Sequence, residues 1–257
     1  MARLKGKDRR SSQRVATAYM DDVRRPVSSL VFLLPLVILY EIGTYWTASN
    51  LSESMINRVI AFQLLRRFFA LFGATWIYLP GLALVAILTA WQLATADNWK
   101  IRWRTVGAMG IESLMLAVPL VVLSHVVSYV HATRLAAAGG IHDWMGNLLL
   151  SIGAGIYEEL LFRLMLISLL SIVLIDLGRM AEGPAIFAIV LISAALFSLY
   201  HNLGAESFRW SLFMFRAVAG GYLAGIFILR GFGITVGCHV IYDILATIIN
   251  TFSEHSS

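Results

Sequence analysis

Charge is scarce in this 257-residue chain. Asp, Glu, Lys and Arg together make up 14% of it, against roughly 25% in an average soluble domain. Hydrophobic residues reach 59%, where roughly 45–50% is usual. A surface with so few charges is not one that water alone can cover, so lipid must cover much of the exterior. Cysteine is nearly absent as well: the single Cys238 has no intrachain partner, which excludes a disulfide scaffold. Internal repeats and low-complexity tracts are missing, and the hydrophobicity excludes a disordered chain. The body of the chain also lacks a net charge. The formal excess of +5 resides in the first 25 residues, which hold eight basic side chains (Arg3, Lys5, Lys7, Arg9, Arg10, Arg14, Arg24, Arg25) against three acidic ones. The remainder is balanced at 12 against 12. The basic isoelectric point therefore reflects a tail and not a nucleic-acid-binding face, and no nucleic-acid partner is expected.

What the chain has in abundance is long apolar runs. A helix needs about 20 mostly apolar residues to cross the hydrocarbon core. A window of that size finds seven candidates: Val27–Ala48, Gly73–Leu93, Val106–His131, Met145–Ile175, Ala185–Leu203, Ser211–Leu229 and Phe232–Phe252. The fold expected is all-α and polytopic, with about seven transmembrane helices. It divides into a basic tail over residues 1–26 and one integral membrane domain over 27–252. The joint at Arg230–Gly231 is so tight that the last two spans must form an antiparallel hairpin.

The tail is too long for a cleaved signal peptide. With it in the cytoplasm, the inside segments carry thirteen Lys and Arg and the outside segments five. The positive-inside rule thus favours a cytoplasmic N-terminus. Between the first two spans, Leu51, Met55, Ile56, Val59 and Ile60 recur at helical spacing opposite Glu53, Asn57, Arg58, Arg66 and Arg67. That pattern fits a helix lying in the headgroup layer or an ordinary amphipathic connector.

Ionisable groups inside spans are costly, so each marks a candidate functional site. Here they gather on three helices. Glu158, Glu159 and Arg163 lie in the fourth span, His201 near the end of the fifth, and His239 and Asp243 in the seventh. Facing lipid unpaired, each would cost several kcal/mol, so convergence in one interior cavity is the economical arrangement. Glu159 and Arg163 are i,i+4 with the acid first, the favourable order for an intrahelical ion pair. Glu158 is rotated about 100° away, which leaves it the freer carboxylate. His239 and Asp243 share a face at i,i+4, as do Phe197 and His201. Two chemistries fit Glu158, His201, His239 and Asp243. They could ligate a divalent metal such as zinc, for which two His plus a carboxylate is a common set. Alternatively, a carboxylate could act as general base on a water, with His and Asp handling charge on the substrate oxygen. Both lead to hydrolysis.

The local strings are more specific: Glu158-Glu159-Leu-Leu-Phe-Arg163 reads E-E-x-x-x-R, Phe197-Ser-Leu-Tyr-His201 reads F-x-x-x-H, and His239-Val-Ile-Tyr-Asp243 reads H-x-x-x-D. In that order, each on its own span, they resemble the CPBP intramembrane peptidases. That family includes the type II CAAX prenyl endopeptidases and the abortive-infection and bacteriocin-processing relatives. The resemblance covers roughly residues 145–251. It implies a peptidase whose active site lies within the helix bundle and which acts on a peptide or membrane-protein substrate in the bilayer. It also implies roles: Glu158 as the water-activating glutamate, His201 as the histidine that helps hold that water, and His239 as the partner that steadies the oxyanion. Glu159, Arg163 and Phe197 become supporting residues. Asp243 departs from the asparagine of the prenyl endopeptidases, and an ionised aspartate would repel an oxyanion. It must therefore be protonated, orient His239 or bind a metal.

A second reading is a transporter or binding protein that couples the buried carboxylates to protons or a cation. The titratable groups form one local set instead of a relay across the bilayer, and no two related halves appear. Both features favour the enzyme. Elsewhere, Glu41 and Arg216 sit where their stems could reach the interface, and Glu41 could alternatively touch the site. The GxxxG pattern Gly221–Gly225 permits close helix packing within the fold. Cys238 lies about 100° around the helix from His239 and is a poor nucleophile candidate. His125, His131, His142, Asp143 and His255 fall at span ends, in a loop or in the tail.

Overall fold

The computed structural model describes residues 17–47, 59–76, 78–131, 144–203 and 208–255, and every regular element among them is helical. We number the helices α1 (Pro26–Thr47), α2 (Ile60–Ala70), α3 (Leu79–Thr95), α4 (Trp103–His131), α5 (Trp144–Leu177), α6 (Glu182–Tyr200), α7 (Trp210–Arg230) and α8 (Phe232–His255). Six of them, all but α2 and α3, are long and apolar enough to cross a membrane. Their outward faces carry exposed side chains such as Ile42, Val118, Phe187 and Leu191. This all-α architecture, with six long spans and one shorter apolar helix, makes the chain an integral membrane protein.

The second span is shorter than expected. Gly73–Leu93 does not form one helix, because Gly73 takes a φ of +76° and residues 74–76 are irregular. Only from Leu79, with Pro80 in the first turn where its missing N–H costs nothing, does a 17-residue helix run to Thr95. It still traverses the bundle. At one end the Gln92 side-chain carbonyl accepts the Val27 amide at 2.9 Å, and at the other Gly81 packs against the Glu41 carboxylate. Thus α3 runs antiparallel along most of α1. The fifth span likewise ends at Tyr200, with His201–Leu203 in a tight 3-10 turn. Of the amphipathic stretch, Leu51, Met55 and Ile56 lie outside the described residues. The part described is α2, whose Ala61, Phe62 and Leu65 are buried.

Half of α8's span is buried, and this helix packs against α1, α4, α5 and α7. Glycine sets two of these approaches. A Cβ on Gly155 of α5 would lie 2.9 Å from the Val240 backbone nitrogen, and one on Gly233 would meet the Ser29 Cα at 3.1 Å. The α7–α8 hairpin turns at Gly231, with φ +88°, as the short joint requires. Part of the tail is docked: residues 17–24 are helical, Val23 is fully buried, and Asp22 meets Arg102 at 2.7 Å. Arg24 donates to the Leu229 carbonyl at 2.7 Å. This segment caps the end of the bundle where the α3–α4 and α7–α8 turns lie. Residues 1–16 are outside the described set.

Candidate active site

The site is assembled by α5, α6 and α8, braced by α7. Directly after Glu159 the coil of α5 widens: Leu160–Ile167 and Ile172–Leu177 wind as π-helix, a form that often marks functional positions. Glu159 and Arg163 are both fully buried, and their ion pair is present at 2.9 Å. Arg163 also donates to the Gly220 carbonyl of α7 at 3.2 Å and stacks its guanidinium 4.4 Å from the centre of the Phe197 ring. A Cβ on Gly220 would sit 3.0 Å from that ring and 3.3 Å from the Ala194 Cα, so glycine is what allows α7 to approach α6 here. The expected GxxxG pair is not the close contact. At Gly221 the nearest atom to an added Cβ is 3.8 Å away, and at Gly225 there is nothing within 4 Å. The packing glycine is one residue earlier.

Glu159 has a second partner that spacing along one helix could not reveal. Its Oε1 lies 2.7 Å from the His239 Nδ1 on α8, while the His239 Nε2 faces Asp243 at 3.5 Å. Glu158 is nearly buried, at 7% exposure, and looks the other way. The Tyr200 hydroxyl donates to its Oε1 at 3.4 Å, and its Oε2 stands 3.7 Å from the His201 Nε2. The His201 Nδ1 is engaged with the Phe197 carbonyl at 2.9 Å, which assigns the ring proton to Nδ1 and leaves the Nε2 lone pair facing Glu158. Phe197 links the two halves, its ring centre 4.8 Å from that of His201 and 6.1 Å from that of His239. All four proposed catalytic side chains lie largely within the helix bundle. His201 and Asp243 are about a quarter exposed, and Glu158 and His239 less than a tenth.

Among the described residues no three His, Cys, Asp or Glu side chains are placed to share an ion. The His239 Nδ1 is held by Glu159.

Three contributors were not singled out from the sequence. Tyr200 sits inside the F-x-x-x-H string itself, and Gly220 adjoins the pattern that drew attention instead. The position of Glu41 near a span end allows either an interfacial place or one beside the site. The side chain turns inward, where the Tyr157 hydroxyl donates to its Oε1 at 3.0 Å, and Tyr157 is the residue immediately before Glu158. Of the remaining candidates, His125 is exposed and Cys238 is buried, while His142 and Asp143 lie outside the described residues.

Beside the site, Leu64, Leu161, Phe162, Leu166, Leu196 and Leu199 line an apolar groove of about 410 Å³ that reaches Tyr200. No curated protein and no solved structure matches the chain. Over residues 140–245, the stretch that carries Glu158, His201, His239 and Asp243, the chain matches the family model described as type II CAAX prenyl endopeptidase Rce1-like.

Proposed function

We propose that this protein is an intramembrane endopeptidase that hydrolyses a peptide bond of a membrane-associated protein or peptide with a water activated by Glu158. The observation that carries the reading is the spacing of Glu158 and His201. At 3.7 Å the two acceptor atoms are too far apart for a direct hydrogen bond, and such a gap suits one bridging water. That water would donate one proton to the Glu158 Oε2 and the other to the His201 Nε2, which aims its lone pairs at a substrate carbonyl. As its oxygen attacks the carbonyl carbon, Glu158 takes one proton. When the tetrahedral intermediate collapses and the C–N bond breaks, Glu158 returns that proton to the leaving nitrogen.

His239 is the group suited to the oxyanion. Glu159 fixes its ring by accepting Nδ1–H, so the form that serves the oxyanion is the imidazolium. Its second proton, on Nε2 at 3.5 Å from Asp243, is loosely enough held to turn to the developing charge. Asp243 then orients His239 and does not itself bind the oxyanion. The leucine-rich groove ending at Tyr200 supports a substrate that presents an aliphatic chain, isoprenoid or peptide, next to the scissile bond. Excess Lys and Arg in the tail supports a cytoplasmic N-terminus.

The test is Glu158→Gln, which keeps the shape and the hydrogen bonds but removes the base. Peptide cleavage should be abolished while the detergent-solubilised protein unfolds at an unchanged or slightly higher temperature. Cleavage at the wild-type rate would refute the mechanism. Retained substrate binding with loss of proton or ion coupling would instead identify a transporter.

A further inference from the structure

We infer that the pocket between α2 and the 71–76 turn holds the phosphate of an anionic phospholipid headgroup. α2 has two unlike sides. Ala61, Phe62 and Leu65 enter the core, with the Phe62 ring edge-on to Tyr157 at 5.0 Å between centres. The other flank presents Gln63, Arg66 and Arg67. After Ala70 the chain reverses. Gly73 takes the left-handed conformation, its amide bonds the Ala70 carbonyl at 3.0 Å, and the Ala74 amide bonds the Phe69 carbonyl at 3.1 Å. This closure satisfies carbonyls at the end of the helix and folds Thr75 and Trp76 back towards the arginines. The result is a cavity of about 160 Å³ lined by Gln63, Arg66, Arg67, Thr75, Trp76 and two alanines.

The lining holds two guanidinium groups and no carboxylate. Among the described residues, the ion pairs engage Arg25, Arg102, Arg163 and Arg230, and none engages Arg66 or Arg67. A phosphate offers the oxygens that guanidinium forks bind best. The surroundings select a lipid over a free ion. Phe68, Leu71, Phe72 and Trp76 are 48%, 82%, 74% and 59% exposed around the pocket. Such side chains settle at the boundary of headgroups and acyl chains. A phosphate at this level arrives attached to acyl chains that those rings can meet. The site is separate from the hydrolytic one, and its occupant would brace α2 against Tyr157.

The full-length protein in a non-ionic detergent provides the test, with thermal unfolding followed as phosphatidylglycerol, phosphatidylcholine or inorganic phosphate is added at constant ionic strength. Phosphatidylglycerol at about ten times its dissociation constant should raise the Tm by about 3–5 °C, and the other two should leave it unchanged. R66Q/R67Q should lose that rise. K100Q/R104Q, which removes two exposed charges between α3 and the start of α4, should keep it. If R66Q/R67Q folds poorly, Thr75→Glu places a carboxylate at the exposed rim of the pocket and should abolish the rise by repulsion. Equal shifts with phosphatidylcholine, an equal shift with inorganic phosphate, or a rise that survives both R66Q/R67Q and Thr75→Glu would each overturn the proposal. So would loss of the rise in K100Q/R104Q, which would reduce it to general attraction between charges.

Discussion

The carboxylate of Glu159 is shared between two helices: it meets Arg163 at 2.9 Å within α5 and the His239 Nδ1 at 2.7 Å on α8. An ion pair that spacing alone would assign to the rigidity of one helix therefore also fixes the imidazole of another. Removing either partner of a buried pair leaves an uncompensated charge, which costs about 3–5 kcal/mol, whereas replacing both with apolar groups can be close to neutral. Glu159→Leu should destabilise strongly, because Arg163 then keeps only the Gly220 carbonyl and the Phe197 ring. Arg163→Leu should cost less, since Glu159 retains His239. The double variant should be more stable than Glu159→Leu alone. A double-mutant cycle on unfolding in detergent checks this. Additive single effects would show that the two side chains are not coupled.

Helix contact at the site depends on Gly155. A methyl there would lie 2.9 Å and 3.1 Å from the Val240 backbone nitrogen and Cα, and backbone cannot move aside as the end of a side chain can. Gly155→Ala should push α5 from α8, destabilising by about 1–3 kcal/mol. Because Gly155 is one turn before Glu159 and Val240 follows His239, the same shift should lower cleavage far more than substrate binding. Gly225→Ala, with open space around it, is the control and should change neither. Thermal unfolding and the kcat and KM of both variants decide it.

The site was legible in the sequence wherever the membrane made polarity expensive. Glu158, Glu159, Arg163, His201, His239 and Asp243 stand out because lipid does not accept them, and the i,i+4 rule found Glu159–Arg163 because both lie on one helix. The rule is silent about contacts between helices. Hence the bond from Glu159 to His239, which depends on Gly155 letting α5 reach α8, was not foreseen. Glu41 stayed ambiguous for a related reason: a carboxylate near a span end can be read as solvated unless one knows that Gly81 opens a space for it beside Tyr157. The second span is shorter than its hydropathy suggests because hydropathy averages across the turn at Gly73, while backbone conformation does not. Gly220 was overlooked beside a better-known pattern, and only the placement of Ala194 and Phe197 distinguishes it from Gly221.

Tyr157 and Glu41 invite a separate measurement. The Tyr157 hydroxyl donates to the Glu41 carboxylate at 3.0 Å in a partly buried setting. Tyr157→Phe removes the donor and leaves the acceptor in place, which costs about 1–3 kcal/mol for a buried group. Glu41→Gln keeps an oxygen that accepts from Tyr157 and should cost less. Since Tyr157 precedes Glu158, the Phe variant should also slow cleavage, and the two variants should rank in the same order by unfolding temperature and by rate. Equal stability of Tyr157→Phe and wild type would show that the bond does not hold this turn of α5.

Asp243 provides the most direct check on how charge is handled during hydrolysis. It stands 3.5 Å from the His239 Nε2 and is about a quarter exposed, so it can orient the ring while leaving the Nε2 proton able to turn to the substrate. If orientation is its task, the negative charge is dispensable. In Asp243→Asn the side-chain carbonyl still accepts from Nε2–H, and the amide could donate to the oxyanion itself. Cleavage should then stay within about tenfold of wild type. Asp243→Ala removes the acceptor and should cost more. His239→Ala removes the proposed oxyanion donor altogether and should cost about 10²–10³-fold, the scale for losing one such donor. The three rates, measured on one peptide substrate with folding verified by unfolding temperature, should fall in that order. Were Asp243→Asn as damaged as His239→Ala, the carboxylate charge would itself be required, and Asp243 would have to move a proton instead of steering the ring that does.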